Sequence, residues 1–332
     1  MLTTGTSERA YHRAVRPSLL APLIVLVLLA GCVAAGQQTH DPPGRSPTLA
    51  GCPVFPPDHI WNRAIDAAPV HASSDVWVDT IGRGRPVHPD FGSGLWEGAP
   101  IGIPYATVDA SQPKVAVSFY YPGESDAGPY PLPGDVPVEG GGDRHALVVD
   151  VDDCVLYEVF DVSYDGGSWE GGSGAIFDLE GYALRPDGWT SADAAGLPIL
   201  PGLVRFEEVE AGIITHALRF TVPQTRNEYV WPARHQASDL TGSQYPPMGQ
   251  RFRLKADVDI SGFSQQAMVV AEALKKYGMI LADNGSAWYL SGAPDERWDN
   301  QALRDLKSLR GDDFEAVDVS SLIIDPDSGR AR

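Results

Sequence analysis

Apolar and polar residues alternate most regularly in three short runs, residues 143–150, 154–160 and 215–222. Side chains on a strand point alternately to opposite faces, so each run reads as a β-strand. The alternation places His145 with Leu147 and Val149, Glu158 with Leu156 and Phe160, and His216 with Leu218, Phe220 and Val222. An ionisable group on an apolar face costs free energy unless it is paired or opens onto a solvated cleft. The pattern therefore marks His145, Glu158 and His216 as candidates for one shared site, provided that their strands are neighbours.

Further strands are predicted over residues 102–108, 115–121 and 175–179. Val151-Asp152-Asp153 is short enough to join two of the main strands as a hairpin. Ser74 reads as the cap of a short helix running to Ile81 and stopped by Gly82. The clearest helix covers 264–278, with Ser264 as its cap, Lys275 and Lys276 in its last turn and Gly278 as its stop. Met268, Val270, Ala271 and Leu274 form its apolar stripe. Asn284-Gly285, set between apolar runs at 279–283 and 287–290, predicts a second hairpin. A second helix is expected near 300–309. Residues 122–142 read as a long exposed loop of the kind that often carries function.

Many short strands in a chain with 35 glycines and 28 prolines predict a mainly β fold. The expected form is a single antiparallel β-sandwich-like domain over residues 52–324, with one or two C-terminal helices. Residues 325–332 are expected to fray.

The N-terminus has a different pattern. Arg13 and Arg16 precede an apolar run of 12 residues, Leu19 to Ala30, too short for an ordinary membrane span and suited to a signal-peptide core. It ends in Leu29-Ala30-Gly31-Cys32, which closely resembles the lipobox of bacterial lipoproteins. The resemblance implies a signal peptide over 1–31, cleavage before Cys32, diacylation of that cysteine, and a protein anchored through lipid to the bacterial cell membrane outside the cytoplasm. Residues 32–51 then form a flexible tether. With Cys32 carrying lipid, Cys52 and Cys154 are left in an oxidising compartment, where a Cys52–Cys154 bridge is expected. The alternative is two buried thiols. A net charge of −19 argues against nucleic acid as a partner and weighs against a highly anionic polysaccharide.

The sequence contains no G-x-S-x-G, H-E-x-x-H, P-loop or complete EF-hand loop. Two histidines and a carboxylate suit Zn²⁺ or Fe²⁺, but equally suit acid–base chemistry on a glycan, and no cofactor or metal follows from the pattern. A glycosidase needs a second carboxylate beside Glu158, for which Asp178 and Asp193 are the candidates. A lyase needs a base and a charge neutraliser, which His145 or His216 with Arg144 or Arg219 would supply. Trp96, Trp169, Trp189 and Trp231 lie in glycine- or proline-rich segments, where aromatic rings can stack on sugars. Trp189, Trp231, His235 and Arg144 are the expected binding residues. Residues 52–322 resemble an uncharacterised family of exported bacterial proteins, through the blocks 142–145, 188–198 and 282–286. That resemblance implies export and no particular reaction. Three readings stand: a lipoprotein that acts on polysaccharide as a hydrolase or lyase, a non-catalytic module binding glycan or protein, and a structural envelope lipoprotein.

Overall fold

The computed structural model describes residues 46–332. The predicted signal peptide, the lipidation site Cys32 and most of the tether lie outside the described residues. The body is mainly β, with several sheets and few helices.

One sheet has four strands, in the order Ser173–Asp178, Val155–Phe160, Ala146–Asp150, Tyr105–Val108. The 146–150 and 155–160 strands form the predicted hairpin, with Leu147 opposite Glu158. All five residues of the first are buried. The alternation explains why: Leu147, Val149 and Leu156 enter one hydrophobic core, while Ala146, Val148, Tyr157 and Val159 enter a second. A strand covered on both faces reads as a continuous apolar run. Glu158 shares the face of Leu156, as the pattern predicts, and points toward the larger core.

The second large sheet has six strands, in the order Phe314–Ala316, Arg251–Leu254, Met279–Asn284, Leu218–Val222, Tyr289–Ser291, His88–Asp90. Its Phe220, Phe252 and Ile280 belong to the same large core as Leu147 and Leu156. Pairing is mixed rather than antiparallel throughout. The 218–222 strand runs parallel to 279–284, 105–108 runs parallel to 146–150, and 88–90 runs parallel to 289–291. Alternation fixes which face a side chain takes but carries no information on strand direction, which is why the antiparallel expectation fails.

The predicted 279–290 hairpin is also corrected. The 218–222 strand lies between its two arms and pairs with both. Asn284 does not serve a tight turn; its side chain accepts from Thr225 Oγ1 at 2.8 Å. Gly285 N–H donates to Val222 O, at 2.8 Å, so the backbone is satisfied across the inserted strand.

The helix at Gln265–Lys276 forms as expected. Its core face is Ala267, Val270, Ala271 and Leu274, all buried, at helical spacing. Met268 is only half-buried. Ser264 makes no side-chain cap; its hydroxyl donates instead to Ala302 O at 3.0 Å. Gly278 has φ +65°, and a Cβ there would meet Phe252 O at 2.2 Å, so the stop admits only glycine. The second expected helix is a 3₁₀-helix, Ala302–Ser308. The early helix spans Ser74–Ile81, but Ser74 lies inside it, and its hydroxyl accepts from Ala316 N.

Both ends of the expected domain extend further than predicted. Thr48–Leu49 pairs with Cys52–Pro53, and Leu49 is buried, so residues 48–51 belong to the folded body. The C-terminal residues do not fray: Ala331 is buried, and residue 330 bridges His59. The Cys52–Cys154 disulfide is present, with its Cα atoms 5.4 Å apart. It ties the first hairpin to the turn between the 146–150 and 155–160 strands. No helix among the described residues is long and apolar enough to cross a membrane.

Candidate functional site

A cleft of about 440 Å³ opens where strand ends from the two large sheets come together. The four-stranded sheet contributes Phe160 and Ser173, and the six-stranded sheet contributes Asp283 and Asn284. Loops supply Tyr121, Glu124, Asp143, the run Thr190 to Ala194, and His235. The three segments singled out in the sequence, 142–145, 188–198 and 282–286, each place residues in this wall.

The floor is an ionic group. Arg219 donates from Nε to Asp193 Oδ2 at 2.8 Å and from Nη2 to Asp193 Oδ1 at 3.0 Å, a two-point pair. Its Nη1 donates to Ser291 Oγ at 2.7 Å. The same Nη2 lies 3.4 Å from Asp283 Oδ2. Asp193 is wholly buried, whereas Asp283 keeps 24% of its side chain exposed at the cleft. Burial and the neighbouring Asp193 charge push the Asp283 carboxyl up to about 7, against the opposing pull of Arg219. One cation thus holds two carboxylates in unequal settings.

His145 lies against this floor. Its Nε2 donates to Ala192 O at 2.9 Å, and its Nδ1 pairs with Glu139. Burial opposes a charge on the ring, but the hydrogen bond and charge of Glu139 outweigh it and raise the pKa. Both ring nitrogens are engaged, so His145 braces the wall rather than presenting a free nitrogen to the cleft.

His235 is different. Its Nδ1 donates to Ala194 O at 2.8 Å, and a carbonyl only accepts. The neutral ring therefore keeps its lone pair on Nε2, which stands 3.9 Å from Glu124 Oε2. That gap exceeds a hydrogen bond, leaving Nε2 open to a ligand or water.

The wall is rigid. Arg185 donates from Nε to Thr190 O at 2.9 Å and from Nη2 to Glu124 O at 2.7 Å, while Nη1 pairs with Asp126. One guanidinium therefore joins the 122–126 turn to the 185–190 loop. Trp189 carries that guanidinium on its ring face, 5.4 Å from the centroid. Ser173 Oγ donates to Ser191 O at 2.6 Å, and Ala195 N–H donates to Ala282 O at 3.0 Å.

The structure divides the residues expected from the sequence. Asp193 and His235 line the cleft, and His145 lies directly beneath it. Glu158 is close but fully enclosed. It accepts from Ile199 N at 2.9 Å and from Leu200 N at 2.9 Å, and burial pushes it up to about 7 although both donors oppose. His216 does not join them. It precedes the 218–222 strand and engages Glu208 at 3.0 Å and Ala217 O at 2.8 Å, in a separate cluster with Arg205. Asp178 ends the strand that Ser173 begins, about 16 Å from the cleft by strand rise, and is exposed. Arg144 has φ +48° and donates from Nε to Val162 O, away from the floor. Trp231 donates to Ser328 O at 2.9 Å and holds the C-terminal segment.

The missed residues are Asp283, Glu139 and Glu124. Asp283 carried a signal, an acid closing an otherwise apolar strand, but the Asn-Gly pair after it suggested only a turn. Glu139 and Glu124 sit in a proline-rich loop without periodicity. No group of three or more His, Cys, Asp or Glu among the described residues is arranged to hold a metal ion. Comparison with known proteins returns no match to a family model, a curated protein or a solved structure.

Proposed function

We propose that the protein is an extracytoplasmic lipoprotein whose cleft performs acid–base chemistry on a neutral glycan. The single observation that carries this reading is the Asp193–Arg219–Asp283 group. It locks one wholly buried carboxylate in a two-point pair and leaves its partly exposed neighbour, pushed up to about 7, at the cleft. A carboxyl whose setting raises its pKa toward neutrality can serve as a proton donor. Asp283 is the proton donor to a leaving oxygen. His235 Nε2, with Glu124 beside it, is the acceptor that activates water. Asp193 and Arg219 are positioning groups. Tyr121 and Phe160 offer apolar contact to a sugar face, and Thr190 and Asn284 offer polar contacts to hydroxyls. Glu124, Asp143, Asp193 and Asp283 in the lining favour an uncharged substrate over an anionic one. Sandwich-like packing of the two large sheets is part of this reading, supported by the hydrophobic core to which both contribute.

The anchor follows from Leu29-Ala30-Gly31-Cys32. Cys32→Ser shifts the protein from the membrane fraction to the soluble fraction in this reading; unchanged membrane partition contradicts it. The reaction is tested by reducing-end release from a panel of neutral polysaccharides. Wild type releases ends from at least one, and Asp283→Asn lowers the rate by about 10²-fold or more, the scale of general-acid catalysis. Loss in the variant must come without a lower melting temperature. A non-catalytic glycan-binding cleft is the second reading, favoured by the complete burial of Asp193. Saturable glycan binding without any released ends selects it.

A further inference from the structure

A second cavity, about 620 Å³, lies between a short hairpin and the 302–308 helix. We propose that it binds a sugar ring bearing an anionic group, either carboxylate or phosphate. This goes beyond the reading of the first cleft and requires no turnover there.

The hairpin pairs Leu95–Trp96 with Ala99–Pro100. Its two loop residues, Glu97 at φ +51° and Gly98 at φ +90°, both take positive φ, as a tight primed turn requires. Trp96 is 71% exposed and lines the cavity. Its neighbour Leu95 is 66% exposed, so the hairpin presents a contiguous apolar edge beside the cavity, the kind of surface that marks a ligand site. The hairpin base is fixed to the opposite wall. Asn300 Nδ2 donates to Ser93 O at 3.0 Å, and Asn300 Oδ1 accepts from Ser93 N at 3.0 Å.

The opposite wall carries the charge. Arg304 and Lys307 are three residues apart on a 3₁₀-helix, where such side chains eclipse, so both rise on one face. Both line the cavity. Among the described residues neither is joined to an acidic side chain by an ion pair. In a chain of net charge −19, two adjacent unpaired cations make a local reversal of sign. The floor is His88, whose ring stacks on Tyr289 at 4.2 Å, with Asp90 beside it. Burial, then the Lys307 charge, lowers the His88 pKa to about 4, so the stack is uncharged at neutral pH. Asp90 is the one acid in the lining and is placed to meet a sugar hydroxyl. Trp96 supplies a ring platform, the cations supply anion recognition, and concavity favours a ring over a flat membrane surface.

The test is calorimetric titration of the full chain with tetragalacturonate, glucose 6-phosphate and cellotetraose. One of the two anionic probes binds saturably, and an excess of cellotetraose does not compete with it. Arg304→Ala/Lys307→Ala and Trp96→Ala each weaken binding by about tenfold or more, and added salt weakens it further. Asp283→Asn leaves this binding unchanged, which separates it from the first cleft. All three changed side chains are exposed, so an unchanged melting curve is expected. Absence of binding by both anionic probes overturns the proposal, as does equal binding by the double variant. Binding of phosphatidylglycerol vesicles that is lost in these variants, with no sugar binding, reassigns the surface to membrane and also overturns it.

Discussion

Arg219 grips Asp193 through two hydrogen bonds, of 2.8 and 3.0 Å, in a setting where neither side chain meets solvent beyond 5%. Removing one partner of a buried pair leaves the other charge uncompensated. Arg219→Leu therefore costs about 3–5 kcal/mol, measured by urea denaturation. Asp193→Asn alone is comparably damaging, whereas a paired Asp193→Leu/Arg219→Met recovers much of the loss. Additive losses in the double variant would refute the pairing as the source of the effect.

Glu158 is a structural carboxylate. Glu158→Met leaves the Ile199 and Leu200 N–H groups without an acceptor, at about 1–3 kcal/mol each. Its pKa is raised from 4.5 to about 7 in the folded protein, so its stabilisation is complete below 4.5 and is lost as pH rises through 7. The stability gap between wild type and Glu158→Met is thus largest near pH 4.5 and narrows toward pH 8. Denaturation curves at the two pH values check it; a gap that widens with pH contradicts it.

His59 is buried beneath the C-terminal segment, stacked 4.1 Å from Phe55, with Nε2 facing Gly329. A Cβ on residue 329 would lie 2.2 Å from that nitrogen, so Gly329→Ala is expected to cost about 1–3 kcal/mol. Burial lowers the His59 pKa from 6.5 to about 3, while Asp58 opposes. The neutral ring contributes stability above pH 6.5 that is lost as pH falls toward 3. Thermal melts of His59→Phe show a shallower decline over that range; an identical decline rules His59 out as its source.

The Cys52–Cys154 disulfide spans a sequence separation of 102 residues. On the chain-entropy account a loop of that size stabilises by about 4–5 kcal/mol. Cys154→Ser should lower the melting temperature, and a non-reducing tryptic map should show the linked peptides. A map with both thiols free contradicts the bridge.

Much of the fold was legible in local pattern. The 146–150 and 155–160 hairpin, the 265–276 helix and the side chosen by Glu158 all follow from spacing alone. What spacing omits is partnership between distant segments. The 218–222 strand enters between 279–284 and 289–291, a choice fixed by sheet assembly and invisible to the Asn284-Gly285 turn signal. The site divides in the same way. Asp193 and His235 were legible as polar residues in turn-rich segments, but His145 and Glu158 are occupied by Glu139 and by backbone N–H groups. Asp283 gains its role from Arg219, which is 64 residues away in the chain.

The central claim is that Asp283, beside the buried Asp193–Arg219 pair, holds a proton up to near neutral pH. It is tested most directly by a ¹³C chemical-shift titration of the Asp283 side-chain carboxyl, assigned by its absence in Asp283→Asn. The account predicts an inflection at about 7, shifted down from there when Asp193 is replaced by Asn. An inflection in the ordinary carboxylate range, near 3.8, would contradict it.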